Sequence, residues 1–375
     1  MKLKVNSSDL AKALSHLQGV VELRHTLPIL SNVIIKAEDN HLKLSSTNLD
    51  IFCSEKITAN IEVNGEISVP AITLHEIVKK LPQGSDIDFN MDESGNSINI
   101  KSGRSRFNLS TLPTDDFPDI SQDDLSVKFI MNVDDLKTMI DKTKFAISNE
   151  ESRYYLNGIF FHSAHKNGID ILRSVATDGH RLAQYDMPLP HGAEKMSGII
   201  IPKKTTLELR RILDDAKGDV QVALSSSKVK FVFSEIELVS KVIDGTFPDY
   251  TKVIPQNNDK KLKTNISDLK GAIERVSAIA VSEETKSRGL KLVVENNKLQ
   301  LLANSASKGS AMEELDIQFS HEKLEIGFNS RYLLDIISEI DGNDVTLNFS
   351  DPAAPVLITD DAEDNLFFVL MPMRI

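Results

Sequence analysis

One pattern occurs three times along the chain, and it restricts the available folds more than any other feature. In Val69–Phe89 (VPAITLHEIVKKLPQGSDIDF) a short apolar run breaks and an amphipathic segment puts Leu74, Ile77, Val78 and Leu81 on one face. A Gly-containing turn and an alternating strand, Ile87-Asp88-Phe89, follow. Ile201–Val222 and Phe328–Leu347 repeat this order. The residue opening each unit and the apolar residue closing its helix lie 12 apart in every copy: Val69 to Leu81, Ile201 to Leu213, Phe328 to Ile340. The copies are offset by 132 and 127 residues, a period that belongs to whole domains and not to a solenoid of small units.

A second element opens each domain: Val5–Leu17 (VNSSDLAKALSHL), Met131–Thr143 (MNVDDLKTMIDKT) and Thr264–Val276 (TNISDLKGAIERV). Each has an apolar strand-like residue, then Ser or Asp as the expected N-cap, then Asp-Leu and apolar residues at helical spacing. The shared leucines are Leu10, Leu136 and Leu269. Alternation predicts strands over Ile29–Lys36, His41–Ser46 and Leu49–Ala59 in the first domain. Gly158–His162 and Leu172–Ala176 match them in the second, and Leu290–Glu295 and Leu299–Ala303 in the third. Each domain then holds two similar halves, with two helices and about eight strands. This is an α+β fold with both helices on one side of antiparallel sheets. The polar stretches Ser121–Leu125 and Gln256–Lys261 mark stiff joints, which gives domains at 1–124, 125–258 and 259–375.

Composition narrows the function. With 375 residues and 41% hydrophobic content, each third is long enough to bury a core. The single Cys53 excludes an intramolecular disulfide and fits a reducing compartment. The N-terminus lacks a long apolar segment after its lysines, and the apolar run Leu366–Met373 is too short to span a bilayer, so a cytoplasmic protein with no membrane partner is expected. A net charge of −12 argues against a protein that simply coats nucleic acid, while leaving room for a basic strip on one surface.

Enzymatic signatures are sparse. The sequence contains no phosphate loop, dinucleotide fingerprint, zinc spacing or G-x-S-x-G, and no metal or cofactor is expected. Gly103 in KSGRSRF opens no helix. Thr177-Asp178-Gly179-His180-Arg181 offers either half of an acid–base pair or a turn; the matching Thr47-Asn48 and Asn304-Ser305 lack both groups, which favours the turn. Cys53, in an alternating strand, reads as a packed small residue before it reads as a nucleophile. Basic residues recur on the helices: Lys12; Lys79 and Lys80; Lys137 and Lys142; Lys203, Lys204, Arg210 and Arg211; Lys270 and Arg275. The sixth helix offers only Arg331, beside Asp335 and Glu339. Any one helix of this kind is ordinarily a solvated face, but recurrence on five in an acidic chain points to a shared cationic surface.

Several longer motifs carry a resemblance. They are Arg24-His25-Thr26-Leu27-Pro28-Ile29-Leu30, SGRSRFNLSTLP at Ser102–Pro113, RYYLNG at Arg153–Gly158, VATDGHRLA at Val175–Ala183, DGTFPDY at Asp244–Tyr250 and the terminal Met371-Pro372-Met373-Arg374-Ile375. Together with the threefold repeat they resemble, from end to end, the bacterial DNA polymerase III beta subunit family, the sliding clamps. The resemblance implies a non-enzymatic, head-to-tail homodimeric ring of six similar domains, with helices lining the hole and sheets outside. It implies encircled double-stranded DNA bound without sequence preference. The partners implied are the replicative polymerase catalytic subunit, the clamp-loader complex and other clamp-binding-motif proteins, among them repair polymerases, ligase and mismatch-repair proteins.

By the same resemblance Arg24, Tyr154 and Tyr155 contact DNA, and the helix residues Lys79, Lys80, Lys203, Lys204 and Arg210 are added from their cationic pattern. Partner peptides are expected in a cleft lined by Leu156, Thr177, Gly179, His180, Arg181, Leu182, Pro248, Val253, Val369, Met371, Pro372, Met373 and Arg374. Phe107 and Leu109 are expected on one side of the dimer interface and Ile279 and Val281 on the other. Two departures stand out. Glu150 replaces a neutral polar residue of a DNA-facing loop, which should weaken phosphate contact there. Lys252 stands where arginine is common, so a bidentate contact is lost. Two other classes compete with this reading: a repeat-built protein scaffold without nucleic acid, and a hydrolase using Asp178 and His180.

Overall fold

The computed structural model describes residues 1–22, 27–92, 94–118, 120, 125–280, 288–305 and 307–374. Arg24, Val281, Ile375 and most of the expected joint at Ser121–Leu125 lie outside them. The six α-helices are α1 (Ser7–Leu17), α2 (Ala71–Lys79), α3 (Val133–Lys144), α4 (Lys203–Leu213), α5 (Ile266–Ala280) and α6 (Ser330–Ile337). They fall where the two repeated patterns place them, and Leu10, Leu136 and Leu269 are all buried.

The caps differ from expectation. Asn6, not a Ser or Asp, caps α1: its side chain accepts from the Ser8 N–H at 2.8 Å. Asn132 accepts from the Asp134 N–H at 2.8 Å and Asn265 from the Ser267 N–H at 3.0 Å, so one asparagine performs the task in every copy. The residue sits two positions before the Ser or Asp that precedes Asp-Leu, because the cap must keep extended backbone, as Asn6 does at φ −73 and ψ 134. Two helices also end early. Leu81 and Ile340 lie beyond α2 and α6, where Leu81 N–H bonds Val78 O and Ile340 N–H bonds Ile337 O in tightened final turns. In the first domain Ile29 and Leu30 belong to a 3-10 turn, Pro28–Ser31, and the strand starts only at Asn32. Leu49 takes φ +77, which ends the ladder, so the next strand runs Ile51–Thr58.

The chain divides into two compact units that do not follow the sequence repeats. The first comprises Met1–Lys137, Pro190–Ser197 and Lys204–Val242. It holds a five-stranded sheet in the order Asn60–Val63, Lys2–Asn6, Asp86–Met91, Ser97–Ser102, Ser105–Ser110. It also holds an eight-stranded sheet: Val127–Asn132, Asp219–Leu224, Lys228–Phe233, Ile236–Lys241, Ile51–Thr58, His41–Thr47, Asn32–Glu38, Gly65–Pro70. The eight-stranded sheet crosses from second domain to first at Ile236–Lys241 against Ile51–Thr58, with Leu238 opposite Cys53. Cys53 is fully buried at this seam and burial pushes its thiol pKa far up, so it is packed and neutral.

The second unit comprises Thr138–Leu189, Gly198–Lys203 and Ile243–Ile375. Its eight-stranded sheet runs Ile199–Pro202, Gly158–Lys166, Ile169–Thr177, Arg181–Pro188, Glu363–Leu370, Val356–Asp360, Asp344–Phe349, Lys260–Asn265. The crossing from second domain to third is Arg181–Pro188 against Glu363–Leu370, with Leu182 opposite Val369. A four-stranded sheet, Gly309–Asp316, Lys298–Ser305, Gly289–Glu295, Leu324–Asn329, completes it. All these ladders are antiparallel. In the first unit α1 packs on α2 and on the strands His41–Thr47 and Ile51–Thr58; in the second α5 packs on α6 and on Lys298–Ser305 and Gly309–Asp316. No helix among the described residues is long and apolar enough to cross a membrane.

Candidate partner cleft and DNA-facing residues

The crossing in the second unit creates an apolar site. Leu156, Val175, Leu182, Ile200, Phe247, Tyr250 and Val369 form one buried cluster, with Tyr155, Phe160, Ile243, Ile254, Leu357 and Phe367 half-buried around it. Phe160 and Phe247 stack with ring centroids 4.8 Å apart. A polar brace holds the aromatic side. Tyr250 Oη lies 2.8 Å from His162 Nε2 and accepts from Arg173 Nη1 at 3.3 Å, and Arg173 grips the buried Asp186 carboxylate at 2.6 and 2.9 Å. Burial keeps the His162 ring below its ordinary pKa, so it serves this brace as a neutral imidazole.

Beside the cluster the Thr177–Arg181 segment is a turn. Asp178 Oδ1 accepts from the N–H groups of His180 and Arg181 at 2.9 and 3.0 Å, and Gly179 supplies φ +87. The Asp178 carboxylate is used by this turn and by Arg181 Nε at 3.1 Å, while the His180 ring stacks on Tyr332 at 6.0 Å. Asp178 and His180 thus serve the turn and the ring stack, which favours the turn reading of this segment over an acid–base pair. Arg181 is buried. Its guanidinium also donates to Asp335 Oδ2 and Phe145 O, each at 2.6 Å, and lies over the Tyr332 ring at 4.5 Å. Met371 N–H donates to His180 O at 2.8 Å, and Met373 N–H donates to Gly327 O at 2.8 Å, which ties the terminal segment to the same turn.

Of the expected cleft residues, Leu156, Leu182 and Val369 share the cluster, and Thr177, Gly179, His180 and Arg181 share the turn. Met371 is half-exposed, Pro372 and Met373 are half-buried, and Arg374 and Pro248 are exposed. Val253 is 46% exposed at the end of the 3-10 helix Tyr250–Val253. Sequence reasoning passed over Val175, Ile200, Phe247, Tyr250 and Tyr332. Val175 lay within the quoted motif VATDGHRLA, and Phe247 and Tyr250 within DGTFPDY; Ile200 and Tyr332 lay in none.

The candidate DNA contacts divide between the units. Tyr154 and Tyr155 sit edge to face at 5.7 Å on the 3-10 helix Glu151–Leu156, with Tyr154 53% exposed. A Cβ on Gly245 would approach the Tyr154 ring and the Tyr155 Cβ to 3.2 Å, so glycine fits there. Glu150 accepts from Arg153 Nε at 3.2 Å and from Ser152 Oγ at 2.8 Å, neutralising the nearest arginine. Lys79 and Lys80 are exposed at the C-terminal end of α2, with Lys80 paired to Glu76 at 3.0 Å. Lys203 and Lys204 open α4; Lys203 bonds Asn149 Oδ1 and Lys204 pairs with Glu22 at 2.7 Å. Arg210 pairs with Asp214 at 2.5 Å. Two residues of the basic pattern are not available to a ligand. Lys142 is buried against Glu339 O and Asp341, and Arg211 is spent on the carbonyls of Ser15 and His16.

Phe107 and Leu109 are half-buried on Ser105–Ser110, the edge strand of the five-stranded sheet. Ile279 is half-buried in the last turn of α5. Gly309–Asp316, which the sequence reading did not select, is likewise an edge strand, of the four-stranded sheet.

Comparison with known proteins accounts for this arrangement. Residues 1–121, 130–249 and 251–374 match the N-terminal, central and C-terminal domain models of the DNA polymerase III beta subunit. The chain belongs to the DNA polymerase III beta subunit family. It is 45% identical to the beta sliding clamp of Caulobacter vibrioides over 375 residues and 35% identical to that of Escherichia coli over 376 residues, each covering 100% of both chains. Its fold superposes on the Bartonella birtlesii DnaN sliding clamp bound to griselimycin with a TM-score of 0.96, at 45% identity and full coverage of both chains. A Caulobacter crescentus clamp with polyethylene glycol in its putative beta-motif tethering region gives 0.94 at 44% identity, also with full coverage. As a member of this family the chain is a non-catalytic processivity clamp. It has three clamp domains, acts as a ring-forming homodimer on DNA and tethers the replicative polymerase.

Proposed function

We propose that two copies of this chain close head to tail by repeating, between chains, the strand pairing already made twice within one. The observation that carries this reading is the inventory of edges. Ile51–Thr58 and Arg181–Pro188 hold the same place in their repeats, and each pairs with the last strand of another domain, Ile236–Lys241 or Glu363–Leu370. The third member of the first set is Gly309–Asp316 and the third member of the second is Ser105–Ser110, and both stand at sheet edges. Pairing them between copies leaves no such edge open, which is how ring-closed sheets avoid indiscriminate association. Arg104 and Arg106 flank one edge; on the other Glu313 is held by Arg275, and Glu314 and Asp316 share the single Lys298, which leaves an excess of negative charge to meet the arginines. Phe107 and Leu109 supply the apolar part of the contact on one side, with Ile279 the candidate on the other; the expected Val281 lies outside the described residues.

In this reading the three domains span 1–124, 125–258 and 259–375, and the chain works in the cytoplasm. Arg24, Tyr154, Tyr155, Lys79, Lys80, Lys203, Lys204 and Arg210 meet phosphates of the encircled duplex. The two lysines opening α4 sit at the helix end where the backbone dipole disfavours cations, so they serve a ligand better than they serve the helix. Such contacts are few and indifferent to sequence, and the ring slides because topology retains it. Partners dock an apolar anchor on Leu156, Leu182 and Val369, with the Thr177–Arg181 turn and the Met371–Arg374 segment at the rim. The cleft serves the replicative polymerase, the loader and other partners in turn, raising the effective concentration of each near DNA.

Loaded clamp should remain on nicked circular DNA and leave within the dead time when the circle is cut; equal retention on linear and circular DNA contradicts encirclement. Deleting Met371–Ile375 should abolish polymerase stimulation while leaving the dimer intact in sedimentation. Stimulation that survives the deletion removes the cleft assignment.

A further inference from the structure

We propose that the cleft continues onto the outer face of the third domain as a groove selecting partner segments in which a basic stretch flanks the apolar anchor. This rests on the cleft reading above and adds the chemistry of the flank. The floor extends strand by strand. Leu182, Val369 and Leu357 lie directly opposite one another on three adjacent strands, so the row that begins in the buried cluster ends on Val356–Asp360. Phe367 follows Val369 on the same face, by the two-residue period of a strand, and lies opposite Gln184 and Thr359. Leu357, Phe367 and Ile254 are half-buried, packed against the cluster on one side and open on the other.

A groove of about 570 Å³ lies over these three residues, and its far end is acidic. Its lining includes Asp360, Asp361, Glu363 and Asp364 against a single cation, Lys263. Asp360 is buried and satisfied by the N–H groups of Asp341, Gly342 and Ala362, and Lys263 is held by Asp361 and Asp344. Among the described residues Glu363 and Asp364 have no ion pair. Lys166 pairs with Asp186 and, at Asp364, reaches only the carbonyl. An apolar floor continuous with the cleft and two uncompensated carboxylates at its end fit one occupant: the chain of a partner already anchored in the cleft, carrying Lys or Arg. From Val369 to Glu363 is six residues of strand, about 20 Å, so the basic residues belong two to six extended positions from the anchor.

The test uses fluorescein-labelled peptides with a Leu-Phe anchor and a Lys-Lys, Gln-Gln or Glu-Glu flank at that distance, placed on either side of the anchor, binding to the full-length dimer. The Lys-Lys peptide of one polarity should bind about five-fold tighter than Gln-Gln at low salt, the size of a pair of exposed ion pairs, with Glu-Glu weakest. That advantage should vanish at high salt and in the Glu363→Gln, Asp364→Asn double variant. Equal binding of Lys-Lys and Gln-Gln peptides, or an advantage that persists in the double variant, overturns the groove and leaves the cleft standing. Failure of every peptide to bind overturns the cleft, and the groove with it.

Discussion

Replacing both Phe107 and Leu109 with aspartate should turn the dimer into monomers, raising its dissociation constant roughly 1,000-fold. Both residues are half-buried on the Ser105–Ser110 edge, opposite the buried Ile100 and Ile98. At the two seams within the chain the corresponding strands are closed over: Leu238, Val239, Phe368 and Val369 are each 2% exposed or less. A second copy would bury Phe107 and Leu109 in the same way, so each aspartate must lose water or stay unpaired. At about 2 kcal/mol per buried polar group, the two together give about 4 kcal/mol, hence the factor above. The new charges would also face Glu313, Glu314 and Asp316, adding like-charge repulsion. Sedimentation at micromolar concentration should find single chains, and retention on circular DNA should be lost. Affinity for an anchored peptide should be unchanged, because the apolar cluster lies wholly in the second unit. A dimer that survives both substitutions would leave the edge-pairing account without support.

The helices were legible because a 3.6-residue period behind a capping residue is a local signal. The cap itself was misplaced by chemistry that Asn, Ser and Asp share: only the extended backbone at Asn6, Asn132 and Asn265 separates the true cap from its neighbours. The seams were not legible. Alternation in Ile51–Thr58 and in Ile236–Lys241 says that each is a strand, but nothing local says they are partners across two domains. The open edge at Gly309–Asp316 was within reach, since the repeat aligns it with Ile51–Thr58 and Arg181–Pro188. It was passed over because its exposed face carries Met312 among acids and does not read as apolar.

The candidate cleft was legible only through motifs, because its floor is assembled from five separated segments and no window of sequence contains it. Charge was the least reliable guide. Lys142 and Arg181 are cations in sequence, but both are buried: Lys142 is satisfied by Glu339 O and Asp341, 197 and 199 residues away, and Arg181 by Phe145 O, Asp178 and the distant Asp335. A helical wheel reports which face a residue shares; it does not report which distant acceptor covers that face.

The same reasoning isolates a histidine that sequence placed only on a helix face. His16 on α1 is 1% exposed, and its two ring nitrogens lie 2.7 Å from Glu55 Oε2 and 2.9 Å from Asp215 Oδ2. Glu55 belongs to the first domain's seam strand and Asp215 follows α4 of the second, so one imidazole ties two domains within the first unit. Lys12 stands 3.8 Å from Asp215, and Arg211 donates to the Ser15 and His16 carbonyls while pairing with Glu208. Burial alone would lower the His16 pKa; the two carboxylates outweigh it and hold the pKa above the ordinary value. A group whose folded pKa is raised contributes its full stability below the unfolded value, about 6.5, and loses it as pH climbs through the folded pKa. The link should therefore be strongest in mild acid and weaken above neutrality. His16→Ala strands the buried Glu55 carboxylate and should cost about 3 kcal/mol at pH 6, the lower end for breaking a buried pair. Urea midpoints at pH 6 and pH 8.5 check this, with hydrogen exchange in α1 and the Ile236–Lys241 strand confirming that the loss is local to the seam. The gap between wild type and variant should narrow at the higher pH. A gap that stays constant would mean that His16 packs as a neutral ring and that the two carboxylates act on it only through geometry.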